Sequence, residues 1–341
     1  MRKSLLALLL LAATGLVQAQ VQLREGHPQS YTVVAGDTLW GISGKFLSQP
    51  WKWPQLWHAN PQVHDPDLIY PGDTLNLIYV DGQPRIVVNR GESRGTIKLS
   101  PRVRTTPIAD AIPTIPLGAI NAFLLNNRIM DTPEQFEDAP YIVAGSGERV
   151  LSGAGDRIYA RGTFDPGRVS YGIFRKGKTY LDPQTNEPLG INADDIGSGE
   201  IVASEGDVAT LQMQRSTQEV RLGDRLFVSE ERAINSTFVP SEPQQPINGM
   251  IIDVPRGVTQ IGEFDVVTLD RGRLDGLAEG NVLEIYKAGE TVRDRITGEQ
   301  VKIPDERSGL LMVFRTYNRL SYAMVLHASR SLAVNDKVRN P

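Results

Sequence analysis

The 341 residues contain no cysteine. That excludes a disulfide-stapled scaffold, a thiol nucleophile and a lipid-modified cysteine at a processed N-terminus, so each domain must hold itself by burial alone. An excess of positive charge is also missing. Lys and Arg total 36 against 40 Asp and Glu, a net charge of −4, and a nucleic-acid binder would need a basic face. Histidine is scarce: His27, His58, His64 and His327 are all there are, and none stands in the His-Glu-x-x-His or His-x-His spacing of a zinc peptidase. Gly-x-Ser-x-Gly and Ser-x-x-Lys do not occur as usable nucleophile motifs. Beyond the first residues no apolar run is long enough to span a bilayer. Neither a cofactor nor a metal is implied, and an enzyme is not expected.

What is present begins with an address. Arg2 and Lys3 precede an apolar run over 5–13, and Val17, Gln18 and Ala19 place small residues at a cleavage site. This is the layout of a secretory signal peptide over 1–19, which sends the mature chain across a membrane. At 341 residues with 40% apolar side chains, two or three packed domains are expected.

Residues 30–80 read as one small α+β module in the order strand, helix, helix, strand. Tyr31, Thr32, Val33 and Val34 form a short β-rich run. Gly36 and Asp37 turn the chain, and Asp37 or Thr38 caps a helix whose apolar face is Leu39, Ile42 and Phe46. Pro54 suits the first turn of a second helix carrying Leu56 and Trp57, which Asn60 and Pro61 stop. Tyr70, Pro71, Gly72 and Asp73 spell a type II turn, and Leu75 and Leu77 alternate in a closing strand. These stretches, with Ala59-Asn60-Pro61 and the run from Asp65 through Leu75, resemble the LysM family. The resemblance implies binding of glycans that contain N-acetylglucosamine. It implies a shallow groove with Gly36, Asp37, Thr38 and Leu39 on one side and Asp67, Leu68, Ile69 and Tyr70 on the other. His64, Asp65 and Asp67 then belong to a loop that shapes the groove rather than to a metal site. All four tryptophans lie in this module. Trp40 and Trp57 are expected in its core, while Trp51 and Trp53 could fill the core or stack on sugar.

Residues 81–140 read as a connector with short extended runs, prolines at 101, 107, 113 and 116, and one possible helix over 117–130. From Tyr141 the signal is mainly β. Ile173-Phe174-Arg175-Lys176-Gly177-Lys178-Thr179 matches Ile285-Tyr286-Lys287-Ala288-Gly289-Glu290-Thr291, and at the same offset Asp182, Thr185 and Glu187 fall on Asp294, Thr297 and Glu299. Two tandem small β-modules are expected, 141–235 and 249–341, joined by a proline-bearing linker over 236–248. Asp194, Asp195 and Glu205 could be imagined as paired carboxylates, but acidic residues beside glycine read as hairpin turns.

This architecture, with Ile115-Pro116-Leu117-Gly118-Ala119-Ile120-Asn121-Ala122-Phe123-Leu124 and Ala139-Pro140-Tyr141-Ile142-Val143, is similar to the type IV pilus secretin-associated LysM proteins. That similarity implies a non-enzymatic periplasmic adaptor. Its partners would be peptidoglycan glycan strands and an outer-membrane secretin.

Overall fold

The structure is a computed structural model and describes residues 21–57, 69–89, 115, 120, 123, 127–145, 147, 152–229, 238–255 and 261–341. The expected signal peptide over 1–19 lies outside them. The chain divides into two compact units, Met1–Ile115 and Pro116–Pro341.

In the first unit, strand β1 (Ser30–Thr32) leads to helix α1 (Leu39–Phe46). A 3-10 turn (Pro50–Lys52) then runs into the short helix α2 (Trp53–Trp57), and strands β2 (Thr74–Val80) and β3 (Gln83–Asn89) come next. The expected strand, helix, helix, strand order is there, but the sheet does not stop at residue 80. It has three antiparallel strands in the order β1-β2-β3. Asp81 (φ 51°) and Gly82 (φ 75°) make the two-residue left-handed turn that matches the twist of a tight hairpin. Ile86 and Val88 then face the same core as Leu75 and Leu77. Pro84 is tolerated because β3 is an edge strand.

The core sits between this sheet and the helices and gathers Val33, Leu39, Ile42, Phe46, Leu56 and Ile69. The segment before β1 closes the far end of α1. Leu23 bridges Leu47, the Arg24 N–H donates to the Phe46 carbonyl at 2.8 Å, and the Arg24 guanidinium donates to the Gly44 carbonyl at 3.0 Å. A cation on the last carbonyls of a helix is favourable in charge and in hydrogen bonding.

The second unit is mainly β. Strands β4 (Asn127–Met130), β5 (Tyr141–Gly145), β6 (Arg157–Arg161), β7 (Ser170–Leu181), β8 (Pro188–Glu205), β9 (Val208–Ser216) and β10 (Arg225–Val228) form one sheet, with helix α3 (Pro133–Glu137) between β4 and β5. Six of these strands pair in a ring, β5-β6-β9-β8-β7-β10, and β10 returns to β5. The remaining strand, β4, pairs along β8. The second array comprises β11 (Asn248–Asp253), β12 (Val266–Leu269), β13 (Val282–Lys287), β16 (Glu306–Thr316), β17 (Ser321–Ala328) and β18 (Lys337–Arg339). It closes as a barrel in the order β11-β12-β17-β16-β13-β18. Strands β14 (Thr291–Arg293) and β15 (Gln300–Lys302) form a separate two-stranded ribbon.

The cyclic order of the two arrays is the same, and so is their register. Ile173 pairs Gly197 and Ile285 pairs Gly309, both members raised by 112. Likewise Ser204 pairs Ala209 and Thr316 pairs Ser321. A bulge follows Ile173 in one array and Ile285 in the other. The repeated Asp-x-x-Thr-x-Glu stretch makes the same turn twice. Asp182 accepts from the Gln184 N–H at 2.8 Å and Asp294 accepts from the Ile296 N–H at 2.8 Å, with Asn186 (φ 62°) and Gly298 (φ 77°) in equivalent left-handed positions.

Beyond their barrel ends, β7 and β8 continue as a long hairpin arm, with β4 along the β8 edge, and this arm rests on the second array. The Tyr180 hydroxyl donates to Asp253 at 3.1 Å, and Lys178 pairs with the same carboxylate. Arg319 donates to the Pro188 carbonyl at 3.1 Å and meets Glu187 at 3.3 Å. The Asn318 N–H donates to Asp131 at 2.8 Å. Phe123 packs edge-on against Tyr322 at 4.6 Å and Phe314 at 6.0 Å between ring centroids. Burial, followed by the nearby Asp253 charge, pushes the Tyr180 phenol well above its ordinary range.

Three expectations change. Residues 127–130 are strand β4 rather than the end of a helix, because Ile129 and Met130 gain more from pairing with the β8 edge than from helical propensity; Ile120 and Phe123 are helical and buried. Asp194 and Asp195 lie in the middle of β8, not in a hairpin turn. The stretch expected as a linker is packed from Phe238 onward: Ser241 bridges Asn281, and the Ile247 N–H donates to Asn340 at 2.6 Å.

Candidate glycan-binding site

Two loops of the first unit come together by the same local device. In the β1–α1 loop, Gly36 takes a φ of 93°, which only glycine adopts without strain, and the Asp37 carboxylate turns back to accept from the Val34 N–H at 2.9 Å. The Tyr31 hydroxyl donates to the same carboxylate at 2.9 Å. Burial and then that hydrogen bond raise the Tyr31 phenol, so it stays a donor throughout the physiological range. In the loop before β2, Gly72 has φ 100° and the Asp73 carboxylate accepts from the Tyr70 N–H at 3.0 Å. Each loop is therefore x-x-Gly-Asp, with the aspartate reaching three residues back.

Backbone hydrogen bonds join the two loops. The Val33 N–H donates to the Asp73 carbonyl at 2.9 Å, and the Gly72 N–H donates to the Val33 carbonyl at 2.8 Å. Thr38 caps α1: its hydroxyl accepts from the Gly41 N–H at 3.0 Å and leaves its own proton free to donate. Gly36 is exposed, and Asp37, Thr38 and Tyr70 are half-buried at the surface between the loops.

Among the residues expected in the groove, Gly36, Asp37, Thr38 and Tyr70 are thus placed side by side by this stitching. Leu39 and Ile69 are neighbours too, but both side chains are fully buried in the core, so what they can offer a ligand is backbone. Asp67 and Leu68 lie outside the described residues, as do His58, His64 and Asp65. Two further positions matter that the expected groove does not include. Val33 and Asp73 hold the loops together, and the repeated Gly-Asp at 36–37 and 72–73 is the signal that points to them.

All four indoles are buried: Trp40, Trp51, Trp53 and Trp57. Trp53 and Trp57 meet edge to face at 6.3 Å within the core cluster. Trp51 carries the Lys52 ammonium 4.8 Å above its ring. None of the four lies open as a stacking face, so the polar work at the surface falls to loop backbone and the Thr38 hydroxyl. A carbonyl, an amide N–H and a methyl are what an acetamido sugar presents, and small loop surfaces of this kind match them. Each hydrogen bond exchanges with water and contributes about 1 kcal/mol.

Residues 31–77 match the LysM domain family. A stretch of the chain is also 48% identical over 60 residues to YqbP, an uncharacterized protein of Bacillus subtilis strain 168; the match takes in 15% of this chain and 27% of that protein. The chain thus spans about a quarter of the relative's length. Helices long and apolar enough to cross a membrane are absent among the described residues. The stitched pair of Gly-Asp loops, with Thr38 capping α1 beside them, is accordingly part of a LysM domain, a module for N-acetylglucosamine-containing glycans such as peptidoglycan.

Proposed function

We propose that this chain is a non-enzymatic adaptor of the cell envelope: the LysM domain holds peptidoglycan, and the β-rich unit holds a protein complex. The observation that carries the reading is the joining of the two loops through Val33, Gly72 and Asp73, which leaves Gly36, Asp37, Thr38 and Tyr70 at one surface. The groove is assigned to these residues with Asp67, Leu68 and the backbone of Leu39 and Ile69. Single-site affinity is weak, and the repeats of a glycan strand raise retention through rebinding.

The proposed site of action is the periplasm, reached through the signal peptide over 1–19. The proposed protein partner is the outer-membrane secretin of a type IV pilus. What supports it is the similarity of the sequence around 115–124 and 139–143 to secretin-associated LysM proteins. The two arrays of the second unit are proposed to be tandem copies of one module. Their shared strand order, register and bulge support descent from one duplicated unit.

Cosedimentation with purified sacculi tests the wall-binding half. The chain from residue 20 onward should pellet with sacculi, and a variant with Thr38→Val and Tyr70→Ala together should stay in the supernatant while keeping its fold. Equal pelleting of the two would end the assignment of the groove. A pull-down from outer membranes with a chain lacking residues 20–89 tests the other half. Recovery of the secretin is expected, and its absence would sink the pilus role. Release of soluble muropeptides from sacculi by the purified protein would overturn the non-enzymatic reading.

A further inference from the structure

The contact between the two β-arrays has an arm and a seat, and each occurs a second time with nothing upon it among the described residues. The arm of the first array buries Tyr180, Leu189 and Ile191 to 3%, 2% and 1% exposure. Raised by 112, these positions are Val292, Val301 and Ile303 of the second arm, and they stand 38%, 46% and 40% exposed. At the tip of the second arm Ile296 is 95% exposed, in the place that Gln184 takes on the first. An apolar cluster of this kind on a projecting ribbon is the mark of an interaction site.

The seat repeats in the same way. On the second array it is the β16–β17 end, where Phe314 and Leu320 are wholly covered. Leu320 lies against the first arm at Gly190. The equivalent β8–β9 end of the first array has Val202 at 57% exposure and Val208 half-buried. The charges differ in a compensated way. Arg319, which meets Glu187, becomes Asp207, and the charge of Asp207 is offset by the exposed Arg161 2.6 Å away.

We propose that the second arm docks on the uncovered end of the first array of another copy of this chain. The occupant is a second copy because the chain already makes this contact once, arm of one array on the end of the next, while within one chain the second arm and the end of the first array both stay uncovered. An arm and a seat on different faces form a heterologous contact, which does not stop at two molecules but runs on into a ring or a filament. This inference does not depend on glycan binding or on the identity of any other partner.

Sedimentation velocity of the chain from residue 20 onward, from micromolar to near-millimolar concentration, is the test. The mass should rise past a dimer as concentration rises, and I296D/V301D on the exposed arm should shift that rise at least tenfold higher. The seat variant V202D should do the same. Mixing the arm variant with the seat variant leaves one intact interface per pair, so the mixture should form dimers and nothing larger. If V202D does not fold, Arg161→Glu serves as the seat variant. A wild-type chain that stays monomeric throughout would overturn the proposal. So would association that ignores the arm substitutions, or a mixture that stays monomeric.

Discussion

Arg215 grips Asp195 through two parallel hydrogen bonds, Nη1 to Oδ2 at 2.6 Å and Nη2 to Oδ1 at 2.9 Å. The Asp195 side chain is only 3% exposed while the arginine is 46% exposed, so the pair runs from the barrel wall to solvent. Arg215→Ala leaves the buried carboxylate without its cation and should cost about 1–3 kcal/mol, less than a fully buried pair loses because water reaches the guanidinium site. Asp195→Ala should cost less, since the freed arginine is simply hydrated. Urea unfolding of both variants checks the order, and a larger loss for Asp195→Ala would contradict it.

Gly36 and Gly72 hold positive φ at the two joined loops, and a Cβ at either would meet open space. The cost of Gly→Ala there is therefore conformational, about 1–2 kcal/mol each. Gly36→Ala and Gly72→Ala should lower the melting temperature and weaken sacculus binding together. Thr38→Val removes the helix cap, at about 1 kcal/mol, and the free hydroxyl proton as well, so it should lose binding out of proportion to its stability. Calorimetry set beside cosedimentation separates the two effects.

The equivalent turns of the two arrays hold Asn186 and Gly298 in the left-handed region. Gly298→Val forces a β-branched side chain there and should destabilise by about 1–2 kcal/mol. Gly298→Asn copies the residue that the first array already uses and should be nearly neutral. Chemical denaturation of the two variants measures the gap, and equal losses would mean the turns are not equivalent.

Asp305 receives Lys337 at 2.8 Å and Arg339 at 2.9 Å, and its carboxyl is held down to about 2, chiefly by the Lys337 hydrogen bond. Its folded value lies below its ordinary one, so its contribution is fully present above about pH 4 and is lost as pH falls toward 2. Asp305→Asn should flatten the stability profile of the second array between those limits and leave its slope above pH 5 unchanged. A variant profile parallel to wild type below pH 4 would remove Asp305 from the account.

The LysM half of the candidate site is legible in the sequence because its loops are built from local signals: glycine for positive φ, aspartate for the return bond, threonine for the cap. What stays hidden is tertiary. Leu39 and Ile69 are expected in the groove from their place beside the loops, yet both side chains are core, and for Leu39 helix periodicity already puts it with Ile42 and Phe46 on the inner face. Asp81 and Gly82 carry a strong local hairpin signature, and reading a connector there leaves the module without its third strand. Residues 127–130 have no signature of their own, since a strand that exists by pairing with a distant edge is invisible in its own four letters. The repeat beginning at Ile173 and Ile285 is legible from six identities at one offset: Ile173, Gly177, Thr179, Asp182, Thr185 and Glu187. That one arm is covered and the other bare is written in neither copy, because cover depends on which surface lies opposite in space.

The edge position of β3 also sets how the wall-binding end would answer a pull. Strand β3 ends at Asn89, which pairs with Thr74, beside the very loop that carries Gly72 and Asp73. Tension between a held glycan and the rest of the chain would reach that pair first and peel β3 from β2 one rung at a time, as a zipper opens, rather than shearing the ladder at once. Seven released residues would lengthen the tether by roughly 23 Å. The outer strand would thus act as a fuse with slack, adding length to the tether before the pairing of β1 with β2 is lost.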